Sequence, residues 1–276
     1  MHMIWFWISI LLLGAYQASL TEYLLINPEY YQLDAYTWES EDFRRISLGE
    51  MMSTLPSLDY DLLAACMVEK QYNLEDITRK ELEHARQWKT SILQVKPVEF
   101  KKLSNGYAAV FSDISCFPVP VSTRKETPFV TYADSYGSPR SYGGERSHEG
   151  CDIMGNARPR GFYPVLSMTG GVIEQVGWLE KGGWRIGVRA PAGAYFYYAH
   201  LYRYATEWKV GDVVFPGTLL GYMGDSGYGI QEGTIGNFDV HLHLGIYLRT
   251  DHYEEMSVDP YWVLRYSERF MRQADY

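Results

Sequence analysis

Two histidines stand two residues apart near the C-terminal end of the chain, in the run Phe238–Leu248, which reads F-D-V-H-L-H-L-G-I-Y-L. Apolar and other residues alternate with period two, which predicts a β-strand with one face against a core. The apolar face holds Val240, Leu242, Leu244, Ile246 and Leu248, and the other face holds His241, His243, Gly245 and Tyr247. Side chains two apart on a strand project the same way with Cα atoms about 6–7 Å apart. One metal ion, or a metal and its bound water, can span that gap; the alternative is two histidines on an exposed sheet face.

Three further candidate residues precede this strand. His148 and Asp152 are four apart in H-E-G-C-D, where the surrounding glycines favour a loop running into a strand over a helix. His200 ends the predicted strand Y-F-Y-Y-A-H-L. His252, the other histidine after residue 100, lies in an acidic turn and is interpreted as a surface residue.

Four histidines and one aspartate suit the chemistry of metal-assisted hydrolysis. A hydrolytic Zn²⁺ takes three protein ligands and keeps its fourth position for water or substrate. Its charge lowers the pKa of a bound water to about 7 and polarises a carbonyl group. Two more groups are then needed, one to move a proton and one to stabilise the oxyanion. The sequence contains no H-E-x-x-H motif, which excludes the zinc proteases that carry their ligands on one helix.

Composition narrows the classes of partner and of cysteine chemistry. The 276 residues carry a formal net charge of −9, which disfavours a nucleic-acid partner. Aromatic residues make up 16% of the chain, a composition that favours sheets over disorder. The three cysteines leave at least one thiol unpaired within a monomer. A Cys116–Cys151 disulfide is conceivable, but burial as ordinary small apolar residues is preferred.

The extreme N-terminus holds the uncharged apolar run Met3–Ala15. The run has the length of the hydrophobic part of a signal peptide, and it reaches membrane-spanning length only by extending past Glu22 to Ile26. No Lys or Arg precedes it and no good cleavage site follows. We therefore interpret residues 1–26 as an export signal that can stay uncleaved as a membrane anchor; the alternative is a buried first helix.

The composition changes near residue 100. The first hundred residues contain 2 of the 25 glycines and 15 acidic against 8 basic residues, which predicts helices first and sheet afterwards. We expect a helical region over 27–100 and a mainly β domain over 101–276. The predicted helices are 42–52, one capped by Ser57 and running to Glu69, one opened by a capping box at Thr78 and running to Ile92, and a closing helix Tyr261–Phe270. The predicted strands include Phe129–Ala133, Gly171–Trp178, Trp184–Arg189 and Ala194–His200, the last two joined by a hairpin at Ala190–Gly193.

Residues from about 139 to 262 resemble the M23 peptidases, the lysostaphin-type or LytM-type zinc endopeptidases that cut peptidoglycan. The resemblance is carried, in family order, by His148-x-x-x-Asp152, Y-A-H-L at 198–201, V-G-D-V-V-F-P-G at 210–217, G-Y-M-G-D-S-G at 221–227 and H-L-H at 241–243. It implies an antiparallel β-sheet groove of the duplicated-hybrid-motif type behind the helical region. It also implies one Zn²⁺ per chain held by His148, Asp152 and His243, catalytic imidazoles at His200 and His241, and a substrate-contacting Tyr142.

The function implied by the resemblance is an exported endopeptidase acting on peptidoglycan stem peptides or cross-bridges. The chain departs from the family pattern in the longer loop 228–239 and in Leu244-Gly245, where an aromatic–glutamate pair is usual. Both departures concern the cleft wall and so the substrate preference. Two other classes compete: a catalytically silent M23-like domain that binds wall material or a partner, and a barrel-sandwich carrier domain suggested by residues 210–217 alone. The carrier class does not account for the histidines.

Overall fold

The computed structural model describes residues 2–276, which divide into helices up to residue 111 and mainly strands afterwards. The α-helices are α1 His2–Leu25, α2 Glu29–Gln32, α3 Glu41–Arg45, α4 Gly49–Ser53, α5 Tyr60–Glu69, α6 Arg79–Val95, α7 Pro97–Phe111 and α8 Tyr261–Ser267. The strands are β1 Val121–Ser122, β2 Thr131–Tyr132, β3 Pro139–Arg140, β4 Arg146–Ser147, β5 Cys151–Met154, β6 Pro164–Leu166, β7 Gly171–Leu179, β8 Gly183–Arg189, β9 Tyr195–Tyr204, β10 Val213–Val214, β11 Leu219–Met223, β12 His241–Leu248, β13 Met256–Val258 and β14 Gln273–Ala274. The predicted fold class is confirmed.

The helix ends follow the local capping chemistry. The capping box at Thr78 is present, and α6 starts directly after it. The prediction that Ser57 caps the preceding helix is wrong, because Asp59 takes that place and accepts hydrogen bonds from the backbone N–H groups of Asp61 and Leu62. The single helix predicted over 42–52 is two helices, because Ile46 adopts a left-handed conformation with φ 47° between α3 and α4. The closing helix starts at Tyr261 as predicted and ends in a short 3₁₀ turn.

One antiparallel sheet places the candidate residues side by side. Its main path runs β10-β7-β8-β9-β12-β5-β2, so β12 lies between β9 and β5. The register pairs His243 with Asp152 of β5 on one side and with Ala199 of β9 on the other. Strands distant in sequence therefore bring His148, Asp152, His200 and the H-L-H pair to one part of the sheet.

The two faces of β12 are those predicted from its alternation. Leu242, Leu244 and Ile246 are fully buried in the core, while His241 and His243 project from the opposite face. The hairpin predicted at Ala190–Gly193 is confirmed by the β8–β9 register and by the hydrogen bond from the Ala190 N–H to the Ala194 carbonyl. Of the strand predicted over 129–133, only the two residues of β2 pair with the sheet.

The helical part of the chain is tied to the sheet through Arg44. Its guanidinium donates hydrogen bonds to the carbonyl and hydroxyl oxygens of Ser257 on β13, at 2.8 Å each, and to the Tyr136 hydroxyl at 3.0 Å. Helix α7 crosses residue 100, the expected division between the helical region and the β domain. That domain division stays a prediction.

Helix α1 is the one helix among residues 2–276 that is long and apolar enough to cross a membrane. The qualifying stretch, Met3–Leu25, has a mean hydropathy of 1.6, and none of it is buried against the rest of the chain. The alternative interpretation, a buried first helix, is therefore wrong. Signal sequences meet the same criteria of length and composition, so the helix fits either a signal or an anchor.

Candidate active site

Three side-chain atoms form a small triangle on the exposed face of the sheet. His148 Nε2 lies 2.9 Å from His243 Nδ1, and Asp152 Oδ1 lies 3.1 Å from each of those two nitrogens. These three residues are the group that could hold a metal ion among the described part of the chain. They are also the three that the family resemblance implies as zinc ligands.

A backbone hydrogen bond fixes which nitrogen His148 presents to the triangle. His148 donates from Nδ1 to the Ser135 carbonyl at 2.8 Å, so its Nε2 carries a lone pair in the neutral ring. Asp152 Oδ1 is also an acceptor. The three atoms that face one another therefore carry at most one proton among them, on His243 Nδ1, and otherwise present lone pairs. Such a set suits a metal cation better than a hydrogen-bond network.

The spacing of the triangle fits Zn²⁺. Tetrahedral zinc bound by nitrogen and oxygen at about 2.0–2.1 Å separates its ligand atoms by about 3.3 Å. The observed edges of 2.9–3.1 Å are close to that value. All three residues line the same cleft, so a metal ion held by them would be accessible to water or substrate.

Arg140, which no sequence motif singles out, orients the carboxylate of Asp152. Its Nη2 donates to Asp152 Oδ2, so the second oxygen, Oδ1, is the one turned toward the histidines. Burial opposes ionisation of Asp152, but its contacts with His148 and His243 outweigh burial and hold its pKa well below the ordinary value. The carboxylate is therefore ionised, as a metal ligand must be.

The other two histidines stand beside the triangle. His200 donates from Nδ1 to the Ser226 carbonyl at 2.8 Å, and His241 donates from Nδ1 to the Asp239 carbonyl at 2.7 Å. Their ring centroids are 4.7 Å apart, and His241 Nε2 is 3.7 Å from Asp152 Oδ1, farther than either nitrogen of the triangle. Burial, with the neighbouring His241 and His243, lowers the pKa of His200 well below its ordinary value, so this ring is neutral near pH 7.

His200 occupies a strained backbone position. Its φ of 61° is uncommon for a residue other than glycine, and conformations of this kind cost about 1–3 kcal/mol. The position is held by the hydrogen bond from the His200 N–H to the Gly182 carbonyl at 2.8 Å. The structure thus maintains, at some cost in stability, the conformation that turns this imidazole into the cleft.

Aromatic rings wall the cleft, which has a volume of about 250 Å³. Phe238 packs against both imidazoles, with ring centroids 4.6 Å from His200 and 5.1 Å from His241. Tyr228 packs on Phe238 and stacks against Tyr142 with centroids 4.4 Å apart. Tyr142 therefore supports the wall from behind Tyr228, and its contact with substrate stays a prediction. The loop 228–239 that departs from the family pattern supplies both Tyr228 and Phe238.

Three positively charged residues also line the cleft: Arg140, Arg146 and Lys181. The sequence offered no sign of them, because the β3–β4 hairpin and the β7–β8 turn that carry them meet the histidines only in the folded chain. Tyr247 could have been found from the sequence, since it shares the face of His241 and His243 on β12.

Cys66, Cys116 and Cys151 are buried free thiols, so the interpretation as ordinary apolar residues is confirmed.

Comparison with known proteins identifies the family. Residues 146–260 match the model of peptidase family M23. A solved structure from Ruminococcus gnavus, described as a proposed glycyl-glycine endopeptidase LytM, is 41% identical with a TM-score of 0.77, covering 90% of this chain and 98% of its own. The chain belongs to peptidase family M23. The family predicted from the sequence is confirmed, and metallopeptidase is the enzyme class of that family.

Two other M23 relatives are more distant or longer. The L-Ala–D-Glu endopeptidase of Bacillus subtilis (strain 168) is 41% identical over 175 residues, which are 63% of this chain and 50% of the relative. The chain thus spans about half the length of that curated relative. The catalytic domain of lysostaphin from Staphylococcus simulans is 27% identical with a TM-score of 0.39, covering 49% of this chain and 92% of that domain.

Proposed function

We propose that this M23 chain is an exported zinc endopeptidase that hydrolyses peptide bonds in peptidoglycan stem peptides or cross-bridges. The observation that carries the proposal is the triangle of His148 Nε2, Asp152 Oδ1 and His243 Nδ1 beside two further imidazoles in one cleft. The triangle supplies three ligands with the spacing of a zinc site. The two additional imidazoles supply what a ligand set alone lacks, groups that move protons and stabilise charge.

The three residues of the triangle would hold the metal. Bound Zn²⁺ would supply Lewis acidity and a water of lowered pKa. Ser135 fixes the tautomer of His148, and Arg140 fixes the rotation of the Asp152 carboxylate. Partners of this kind keep ligands in the orientation that binding requires, and losing one typically costs 10–100-fold in metal affinity or activity.

His200 and His241 would handle the proton and the oxyanion. Each has its Nδ1–H committed to a backbone carbonyl, so Nε2 is the atom presented to the reacting groups. A neutral Nε2 accepts a proton from the attacking water, and a protonated Nε2–H donates to the developing oxyanion. Phe238 keeps both rings out of bulk water, which strengthens these interactions.

The substrate proposal draws on the names of two similar proteins. One is an L-Ala–D-Glu endopeptidase and the other is described as a proposed glycyl-glycine endopeptidase. An open groove across an antiparallel sheet suits an extended peptide in either case. The proposal at this level is the class of substrate, a peptide of the cell wall.

The test is digestion of purified muropeptides by the metal-loaded protein, with products identified by mass. The proposal predicts new amino and carboxyl termini from one peptide bond, and loss of all cleavage on chelation. Cleavage that persists in chelator would contradict zinc chemistry. No cleavage by protein that holds one zinc per chain would favour the catalytically silent, wall-binding alternative.

We also propose that α1 keeps the chain at the outside of the membrane. Its 24 residues span about 36 Å at 1.5 Å per residue, enough for a bilayer core of about 30 Å. Protease added to intact cells should then remove residues 27–276, while a cytoplasmic control protein survives. Full protection of the M23 domain until the cells are lysed would contradict export.

A further inference from the structure

A second cavity adjoins the cleft along the same face of the sheet. Its volume is about 280 Å³, and it shares two of its walls, Tyr197 and Tyr247, with the cleft that holds the four histidines. The ring of Tyr197 lies edge-on to His243 with centroids 6.0 Å apart. A peptide lying across the triangle can therefore continue over these tyrosines into the second cavity.

Arg185 on β8 lines this cavity, and it makes no ion pair among the described residues. The residue is 9% exposed, and its Nη1 has no hydrogen-bond partner. Among residues 2–276, the side-chain hydrogen bond it makes is from Nη2 to the neutral amide oxygen of Gln175, at 3.2 Å, and none of the ion pairs includes it. Arg189, four residues along the same strand, instead binds the Glu174 carboxylate and the Gly193 carbonyl.

A buried guanidinium without a carboxylate is costly. The cost of desolvating a charge is offset only by good ion pairing and hydrogen bonding. A buried donor without a partner loses its hydration with no compensating interaction. Such a group in a native structure calls for an explanation, and a ligand is one. Because Arg185 lines the cavity, a ligand there would meet the guanidinium, although Nη1 itself is enclosed by the protein.

The rest of the cavity also donates. Phenols are protonated near neutral pH and can donate hydrogen bonds, and burial raises the pKa of Tyr195 further, to about 12. The acidic side chain at this cavity, Glu255, is exposed at its rim. Arg185 and Tyr195 line this cavity, and Tyr197 lies between it and the cleft, so together they can form a site for an anion.

We propose that Arg185 binds a carboxylate of the peptide substrate, so that the enzyme acts on an acidic peptide with a free carboxylate beside the scissile bond. This inference rests on the proposed function and narrows the class of peptide that the enzyme cuts. An L-Ala–D-Glu bond has such a carboxylate, because D-Glu uses one of its two carboxyl groups to continue the chain. A glycine cross-bridge has none.

The distance suits a residue close to the bond that is cut. His243 on β12 and Arg185 on β8 are separated by β9, so their backbones are about 10 Å apart at about 4.8 Å per strand. An extended peptide advances about 3.3 Å per residue, so this separation corresponds to about three residues of a bound peptide.

The experiment uses two synthetic peptides that contain L-Ala–D-Glu, one with the free D-Glu carboxylate and one with that carboxylate amidated. Zinc-loaded wild type should cleave the acidic peptide with a kcat/KM about 10–100-fold above the amidated one, as expected for a hydrogen-bonded charge. Arg185→Gln should lose that preference by slowing the acidic peptide alone. Arg189→Gln, the matched control on the same strand, should keep it.

The outcomes separate the two proposals. If wild type with bound zinc cleaves neither these peptides nor muropeptides, the proposed function fails. If wild type cleaves both peptides equally, or prefers a pentaglycine peptide, the function stands and the role of Arg185 is overturned. Equal slowing of both peptides by Arg185→Gln, with a lowered melting temperature, would assign Arg185 a structural role and overturn it too. The wild-type comparison decides the question even if the variant fails to fold.

Discussion

Replacing His243 by alanine is expected to remove zinc and peptidase activity together. His243 Nδ1 lies 2.9 Å from His148 Nε2 and 3.1 Å from Asp152 Oδ1, so its loss leaves two of three proposed ligands. Metal bound to the folded state alone stabilises it, by about 2.7 kcal/mol when free metal is 100 times Kd. Zinc should therefore raise the melting temperature of wild type and not that of His243→Ala. His148→Ala should behave in the same way.

Metal analysis after gel filtration and melting curves with and without zinc measure this prediction. His252→Ala is the matched control, because His252 is exposed and pairs with Glu39, outside the cleft that holds the triangle. It should keep one zinc per chain. Loss of zinc from His241→Ala with retention in His243→Ala would reverse the assignment within the H-L-H pair.

Replacing His200 or His241 by alanine is expected to leave zinc in place and nearly abolish hydrolysis. Both rings present Nε2 to the cleft, but His241 Nε2 is 3.7 Å from Asp152 Oδ1 and neither ring belongs to the triangle. Removing a group that transfers a proton typically slows the reaction about 10²–10⁴-fold, and removing an oxyanion donor costs a comparable factor. The loss should fall in kcat.

Single-turnover rates on one muropeptide, with zinc content measured on the same samples, test the second prediction. His84→Ala is the control, since His84 lies on the exposed face of α6 and bonds only to the Lys80 carbonyl. Wild-type rates in both His200→Ala and His241→Ala would remove these residues from the mechanism. Loss of zinc from either would instead place it among the ligands.

Much of the sheet and of the site was predictable because local patterns determine them. The alternation in β12 determined which residues face the core, and the glycine-poor first hundred residues indicated the helical part. The capping box at Thr78 located α6 for the same reason, since it depends on residues three apart. The choice between His241 and His243 as metal ligand could not be resolved locally, because it depends on which strand pairs with β12 and in what register.

The remaining parts of the site depend on contacts between distant segments. Arg140 reaches Asp152 from a separate hairpin, and Tyr228 and Phe238 come from a loop whose course has no periodic pattern. Arg185 looked like an ordinary strand residue, and its lack of a partner becomes visible only when its neighbours on β7 and β9 are in place. Ile46 likewise breaks a helix through a left-handed conformation that its residue type disfavours.

The most direct measurement for the central claim is a zinc titration of activity. Wild-type protein is stripped of metal with a chelator and then titrated with zinc while cleavage of one muropeptide is followed. The account predicts no activity without metal, full recovery at one zinc per chain, and no recovery in His243→Ala at the same zinc concentration. Undiminished activity in the metal-free protein, or full recovery in His243→Ala, would contradict it.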